Sequence, residues 1–201
     1  MNLNFDTTPK PSQEGLLNLT KGSVLDLTKQ APSLNNIILG AGWDVAENGA
    51  NFDLDIAAFL LNAQGRVTNV GTDVVFFNQM QQQGIRLEGD NLTGEGDGDD
   101  ERIDISLNNL APGIERIVFL VTIFEAQNRR QTFGMVNNSY VRLLNADEHE
   151  KELCRFELKR DASANTAVTF AEIYKENGSW KFKAIGDGCI GDLNTLLSRY
   201  L

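Results

Sequence analysis

The residues with most chemistry in them are carboxylates. From Glu88 the chain reads Glu88-Gly89-Asp90-Asn91-Leu92-Thr93-Gly94-Glu95-Gly96-Asp97-Gly98-Asp99-Asp100-Glu101, with acidic side chains alternating with glycine. Glycine lets a backbone turn tightly and present its carbonyls inward. Calcium takes about six to eight oxygens from carboxylates, amides, carbonyls and water, and this run supplies donors of every kind. Two like charges ~7 Å apart at an effective dielectric of ~20 repel by roughly 2.4 kcal/mol. A bound dication reverses that sign. Taken alone, the run has a second reading, a solvated acidic loop.

A second acidic element weighs toward the metal. In Phe52-Asp53-Leu54-Asp55-Ile56 the two aspartates alternate with apolar residues. In a strand both carboxylates share one face, about 7 Å apart, and Phe52, Leu54 and Ile56 share the other. Aspartate is disfavoured in strands, so two at alternating positions need an exposed edge or a cation. Asp44, after Trp43, can reach the same place from the preceding turn. The candidate ligands are therefore Asp44, Asp53, Asp55, Asp90, Asn91, Thr93, Gly94, Asp97, Asp99, Asp100 and Glu101. Asp53 and Asp55 are expected to share ions with Asp90, Asp97, Asp99 and Glu101. The pattern is not an EF-hand, which needs glycine at the sixth loop position between flanking helices. Counting from Asp97, the sixth residue is Arg102. Nor does it form the tandem nonapeptide repeats of calcium-loaded β-helices.

The elements that must position these groups read as strands. Short runs are expected at Val24–Leu27, from Asn36 into Gly40-Ala41-Gly42-Trp43-Asp44, and over Phe52–Leu61. Further runs are expected over Asp73–Phe77, Ile103–Leu107, Arg116–Phe124, Tyr140–Leu144, Glu152–Leu158 and Ala167–Tyr174. The stretch Arg116–Phe124 is rich in β-branched and aromatic residues, which suits a central strand buried on both faces. Asn177-Gly178 before Trp180-Lys181-Phe182-Lys183-Ala184 predicts a hairpin with a type I′ turn. Gln127–Gln131 reads as a helical turn. The C-terminal segment Asp192–Tyr200 reads as a helix capped by Asp192, with Leu193, Leu196, Leu197 and Tyr200 on one face. Many strands with little helix predict a mostly β fold, a β-sandwich of two packed sheets with a few short helices, including one at the C-terminus. Residues 1–15 are a polar leader, and residues 16–201 form one domain.

Bulk properties narrow the function. The 201 residues suffice for a core without metal or disulfide. A formal charge of −10 argues against nucleic acid as a partner. Cys154 and Cys189 have no metal-ligand spacing and read as buried or half-buried thiols. No apolar run reaches membrane-span length. Met1-Asn2-Leu3-Asn4-Phe5-Asp6 lacks the basic and apolar regions of a signal peptide, so a cytoplasmic location is expected.

Several of these segments together resemble the TerD family of tellurium-resistance and stress proteins. The resemblance is carried by Gly42-Trp43-Asp44, by Phe52-Asp53-Leu54-Asp55 through Phe59-Leu60-Leu61, and by the block from Gly89 to Glu101. Arg130-Gln131-Thr132-Phe133-Gly134, Asn138-Ser139-Tyr140-Val141-Arg142, Glu152-Leu153-Cys154-Arg155-Phe156 and Trp180–Gly186 agree with it, and it spans about residues 16–200. It implies a bacterial calcium-binding β-sandwich, commonly with two Ca2+ ions near the loops at one end. It also implies a part in resistance to tellurite and other chemical stress. The implied partners are other TerD-like proteins and a membrane-embedded component, which would place the chain peripherally at the inner membrane. Ile56 stands where the family usually has a small residue, and Gly186-Asp187-Gly188-Cys189 departs from its pattern.

Catalysis has little support. His149, the single histidine, lies in the charged segment Asp147-Glu148-His149-Glu150-Lys151, without the orienting partner that a general base needs. There is no G-x-S-x-G nucleophile motif and no phosphate-binding loop. The crowded acids leave none in an apolar pocket to act as the proton donor of glycoside hydrolysis. The expected function is that of a calcium-binding stress or assembly protein and not an enzyme. A calcium-dependent membrane-surface adaptor and a metal-dependent hydrolase are the alternatives.

Overall fold

A computed structural model describes residues 20–44, 52–89, 98–157 and 163–201. Alternating apolar residues place twelve strands among them. These are β1 (Val24–Asp26), β2 (Asn36–Asp44), β3 (Leu54–Leu61), β4 (Val74–Val75), β5 (Gln81–Gln82), β6 (Ile85–Glu88), β7 (Glu101–Ser106), β8 (Arg116–Ile123), β9 (Asn137–Asn145), β10 (Lys151–Glu157), β11 (Ala167–Glu176) and β12 (Ser179–Cys189). Four short helices punctuate them: α1 (Leu27–Gln30), α2 (Val70–Asp73), α3 (Ala126–Arg129) and α4 (Leu193–Leu197). The first sheet has the order β1-β12-β11-β8-β3-β4 and the second β10-β9-β2-β7-β6-β5, antiparallel throughout. The mostly β, two-sheet expectation is met, and so is the C-terminal helix.

The first sheet is covered on both faces. Ile117, Phe119, Val121 and Ile123 of β8 point into the main core with Leu54, Ile56, Ala58 and Leu60 of β3. The intervening Val118 and Leu120, with Ala57, Phe59 and Leu61, form an outer layer closed by Leu196, Leu193, Leu197 and Tyr200 of the C-terminal segment. This second layer is why β8 from Ile117 to Val121 and the far half of β3 are apolar at every position. Asp192 caps α4, its side chain accepting from the Thr195 amide in a capping box. The second sheet is apolar mainly on its inner face, with Ile38 and Leu144 as a buried apolar pair on the outer one. In β7, Glu101, Ile103 and Ile105 are buried, while Arg102, Asp104 and Ser106 are part-exposed.

Local differences have local causes. Asp26 caps Leu27 into α1 through the Lys29 amide, which shortens the first strand. Asn69 caps α2, so the strand expected over 73–77 is reduced to Val74–Val75. The strand begun at Asn36 runs on through Gly40 and Gly42 to Asp44. β5 and β6 were not anticipated. The Asn177-Gly178 turn has φ of 52° and 79° between paired Glu176 and Ser179, as a type I′ hairpin requires. Among the described residues no helix is long and apolar enough to cross a membrane. The leader 1–15 lies outside the described residues.

Candidate metal centre

Trp43 is the clasp of the acidic end. Its indole is buried in the main core, and its Nε1 donates to the Phe52 carbonyl at 3.1 Å. Its backbone amide donates to Asp100 Oδ2 at 2.8 Å, and the Asp100 amide donates to the Ala41 carbonyl at 2.8 Å. One residue thus ties the end of β2 both to the chain entering β3 and to the chain entering β7. These are the two places where sequence reasoning put ligands.

Asp99, Asp100 and Glu101 are consecutive but go to three different environments. Asp99 lies on the outer face of the second sheet, over Gly40. A Cβ built on Gly40 would fall 2.1 Å from the Asp99 carboxylate, so only glycine allows that approach. Arg142, one strand over on β9, grips Asp99 with Nε–Oδ1 at 2.7 Å and Nη2–Oδ2 at 3.1 Å. The Tyr140 phenol donates to Asp99 Oδ1 at 3.1 Å and to the Gly98 carbonyl at 2.8 Å. Glu101, 2% exposed, turns inward between the sheets. Its Oε2 accepts the Ile56 amide at 2.7 Å, bridging β7 to β3. Asp100 sits between them on the Trp43 amide.

Asp44, exposed at the end of β2, accepts from Asn138 Nδ2 at 2.5 Å. It borders a cavity of about 370 Å3 shared with Tyr140 and Arg155. Asp53 is buried just before β3, and its carbonyl accepts the Phe124 amide. Asp55 is part-buried on the outer face of the first sheet, in a cavity with Phe124 and Leu197. Asp55 and Asp99 therefore lie on opposite outer faces of the sandwich and are not brought together. Asp44, Asp99 and Asp100 are. Asp90, Asn91, Thr93, Gly94 and Asp97 lie outside the described residues.

The electrostatics of this corner are unfavourable as they stand. Burial pushes the Asp100 carboxyl up, and the charges of Asp99 and Asp44 push it further, against the Trp43 amide that holds it down. Among the described residues no group of three or more His, Cys, Asp or Glu side chains is placed to hold a metal by itself. The donor set that is described fits a hard cation, because it consists of carboxylate and carbonyl oxygens. The Cys154 thiol, pushed up to about 12 by burial, is no competing soft ligand. Sequence reasoning missed Arg142 and Tyr140 as the groups that hold Asp99. Their signal was Gly40-Ala41-Gly42, two glycines on one face of a strand. The Tyr140 ring lies where a Gly42 Cβ would be, at 2.6 Å.

Comparison with known proteins agrees with this architecture. The chain matches the TerD domain over residues 16–200. It is 43% identical over 187 residues to the tellurium resistance protein TerD of Serratia marcescens, covering 92% of this chain and 96% of that one. It is 41% identical over 188 residues to general stress protein 16U of Bacillus subtilis (strain 168), again covering 92% and 96%. The crystal structure of a homologue of telluride resistance protein from Streptomyces coelicolor A3(2) superposes with a TM-score of 0.69 at 27% identity, covering 82% of this chain and 96% of that one.

Proposed function

The chain belongs to the TerD family of tellurium-resistance and general stress proteins, and from that membership we propose that it binds calcium at the Trp43 corner and acts as a binding or assembly module. The observation that carries this reading is the gathering of Asp44, Asp99 and Asp100 around Trp43, where burial first, and then the charges of Asp99 and Asp44, raise the Asp100 pKa. Asp44 and Asp100 would hold the ion with oxygens from 90–97. Asp99 already has Arg142 and would contribute less. Glu101 would keep the β3 end in register with the site through the Ile56 amide. The second ion of the family pattern falls to Asp53 and Asp55. The module works in the cytoplasm, with other TerD-like proteins as its partners.

An enzyme reading gains no support. His149 is exposed on a turn in a left-handed conformation, φ 54°, and a general base needs a partner that holds it in a pocket. The test is calorimetric calcium titration of chelator-stripped protein. Saturable binding weakened by Asp44→Asn and Asp100→Asn is the expected result. Free calcium at ~100 times the dissociation constant should add about 2.7 kcal/mol, or roughly 5–11 °C in melting temperature at this size. Identical melting in chelator and in millimolar calcium would reject the proposal.

A further inference from the structure

A second charged cavity lies on the outer face of the first sheet, and it has the opposite sign. It has a volume of about 490 Å3 and is bordered by Lys21, Lys183 and Arg199, with Thr169 and Tyr200 in its wall. Asp187, also at its border, is held by Lys21. Glu172, next along, is shared by Arg116 and by Lys183, whose Nζ is 3.9 Å away. Four cations therefore face two carboxylates, in a chain of net charge −10. The cations repel one another unless an anion joins them.

The backbone beneath is also specialised. Thr169 pairs with Asp187 and Ala171 with Ala184, so Phe170 of β11 stands opposite two residues of β12, Ile185 and Gly186. Gly186 has φ 66°, which favours glycine, and the extra residue bends the strand as bulges beside functional sites do. At the same place Thr169 is buried, 2% exposed, with its hydroxyl turned to the cavity wall. The Tyr200 phenol is its neighbour. Two neighbouring hydroxyls thus line a cavity rimmed by cations.

We propose that this cavity binds a phosphate-type oxyanion. Arg199 and Lys183 supply charge-assisted hydrogen bonds, and the Thr169 and Tyr200 hydroxyls complete the shell. A free phosphate or phosphate ester and a phospholipid headgroup present the same chemistry. The site lies on β11, β12 and the end of the chain, away from Asp44 and Asp100, and is independent of calcium.

The test titrates chelator-stripped, desalted protein with inorganic phosphate at low ionic strength, followed by amide chemical shifts. Parallel cosedimentation uses phosphatidylcholine vesicles with and without phosphatidic acid. Saturable shifts centred on Thr169, Gly186, Arg199 and Tyr200 are expected. The double variant Lys183→Gln/Arg199→Gln should weaken binding by at least about tenfold, the scale of one lost charge-assisted hydrogen bond. Thr169→Val, which keeps the shape, should weaken it by a smaller factor. Binding of phosphate with these effects identifies a soluble ligand. Vesicle binding that needs phosphatidic acid and is lost in the double variant identifies a headgroup. Non-saturating shifts without vesicle binding overturn the proposal, as does binding that the double variant leaves unchanged.

Discussion

Two carboxylates on the second sheet are partly buried to a similar degree and respond in opposite ways. Glu152 of β10 loses solvent, but hydrogen bonds and charge from Arg155 and Arg142 outweigh that loss and hold its pKa below the usual value. Asp100 also loses solvent, and its charged neighbours Asp99 and Asp44 add to the rise. The β9–β10 region supplies its own cations. Arg142 bridges Asp99 and Glu152, while Arg155 holds Glu152 and lies 4.0 Å from the Tyr140 ring centroid. The Trp43 corner gathers acids with too little built-in positive charge. One region is finished by folding alone, whereas the other is left with charge that an incoming cation can neutralise.

The harshest way to break this contrast is to remove the shared cation. Arg142→Ala strips the guanidinium from Asp99, whose side chain is 2% exposed, and from Glu152. Breaking a buried ion pair from one side leaves an uncompensated charge. A loss of about 3 kcal/mol is expected, read from urea unfolding in chelator. The variant also makes the finished region resemble the unfinished one, so calcium should protect it more than it protects the wild type. Equal protection would mean that Asp99 takes no share of the ion.

Glu101→Ala comes next. It removes the acceptor of the Ile56 amide inside the sandwich, and an orphaned buried donor costs on the order of 1–3 kcal/mol. Glu101→Gln keeps an acceptor oxygen and should lose less. If both variants unfold at the same urea concentration, the hydrogen bond is not what matters at this position.

Asp100→Asn should change metal-free stability little, or raise it by up to about 0.5 kcal/mol, because it removes a charge from a repelling group. Its calcium affinity should fall clearly more than that of Asp99→Asn. Matching losses in the two variants would erase the distinction between the arginine-held acid and its neighbour.

The sheet content, most strands, the 177–178 turn and the capped C-terminal helix were legible, because each depends on local period or local capping. The ligand geometry was only partly legible. Glu101 reads as the end of an acidic run, but pairing with Ala41 makes it the first residue of β7 and turns it inward. Asp99, two residues earlier, would share that inward face if the strand reached it, but β7 starts only at Glu101 and Asp99 lies outside, over Gly40. Register between distant strands sets these directions, and a count along one segment cannot supply it. Asp53 and Asp55 were correctly set apart from Leu54 and Ile56. However, the face that Asp55 occupies belongs to the outer layer closed by α4, a layer implied only by the all-apolar second half of β3.

The smallest effect is in the acid limb of stability. Glu152 has a folded pKa below its usual value near 4.5. Its pairing therefore stabilises the protein above about pH 4.5 and is lost as pH falls through the lower, folded value. Asp100 has the reverse sign. Its folded pKa lies above the usual 3.8, so the metal-free protein gains from its protonation as the solution is acidified toward that range. Glu152→Gln should cost less than about 1 kcal/mol near neutral pH, since its partners Arg142 and Arg155 are part-exposed. The deficit should shrink below pH 4.5, where the wild type loses the same interaction. Urea midpoints from pH 3 to 7 in chelator read this directly. A Glu152→Gln deficit that stays constant across that range would show that the carboxylate contributes by packing and not by charge, and that the β9–β10 region is not the self-neutralised one.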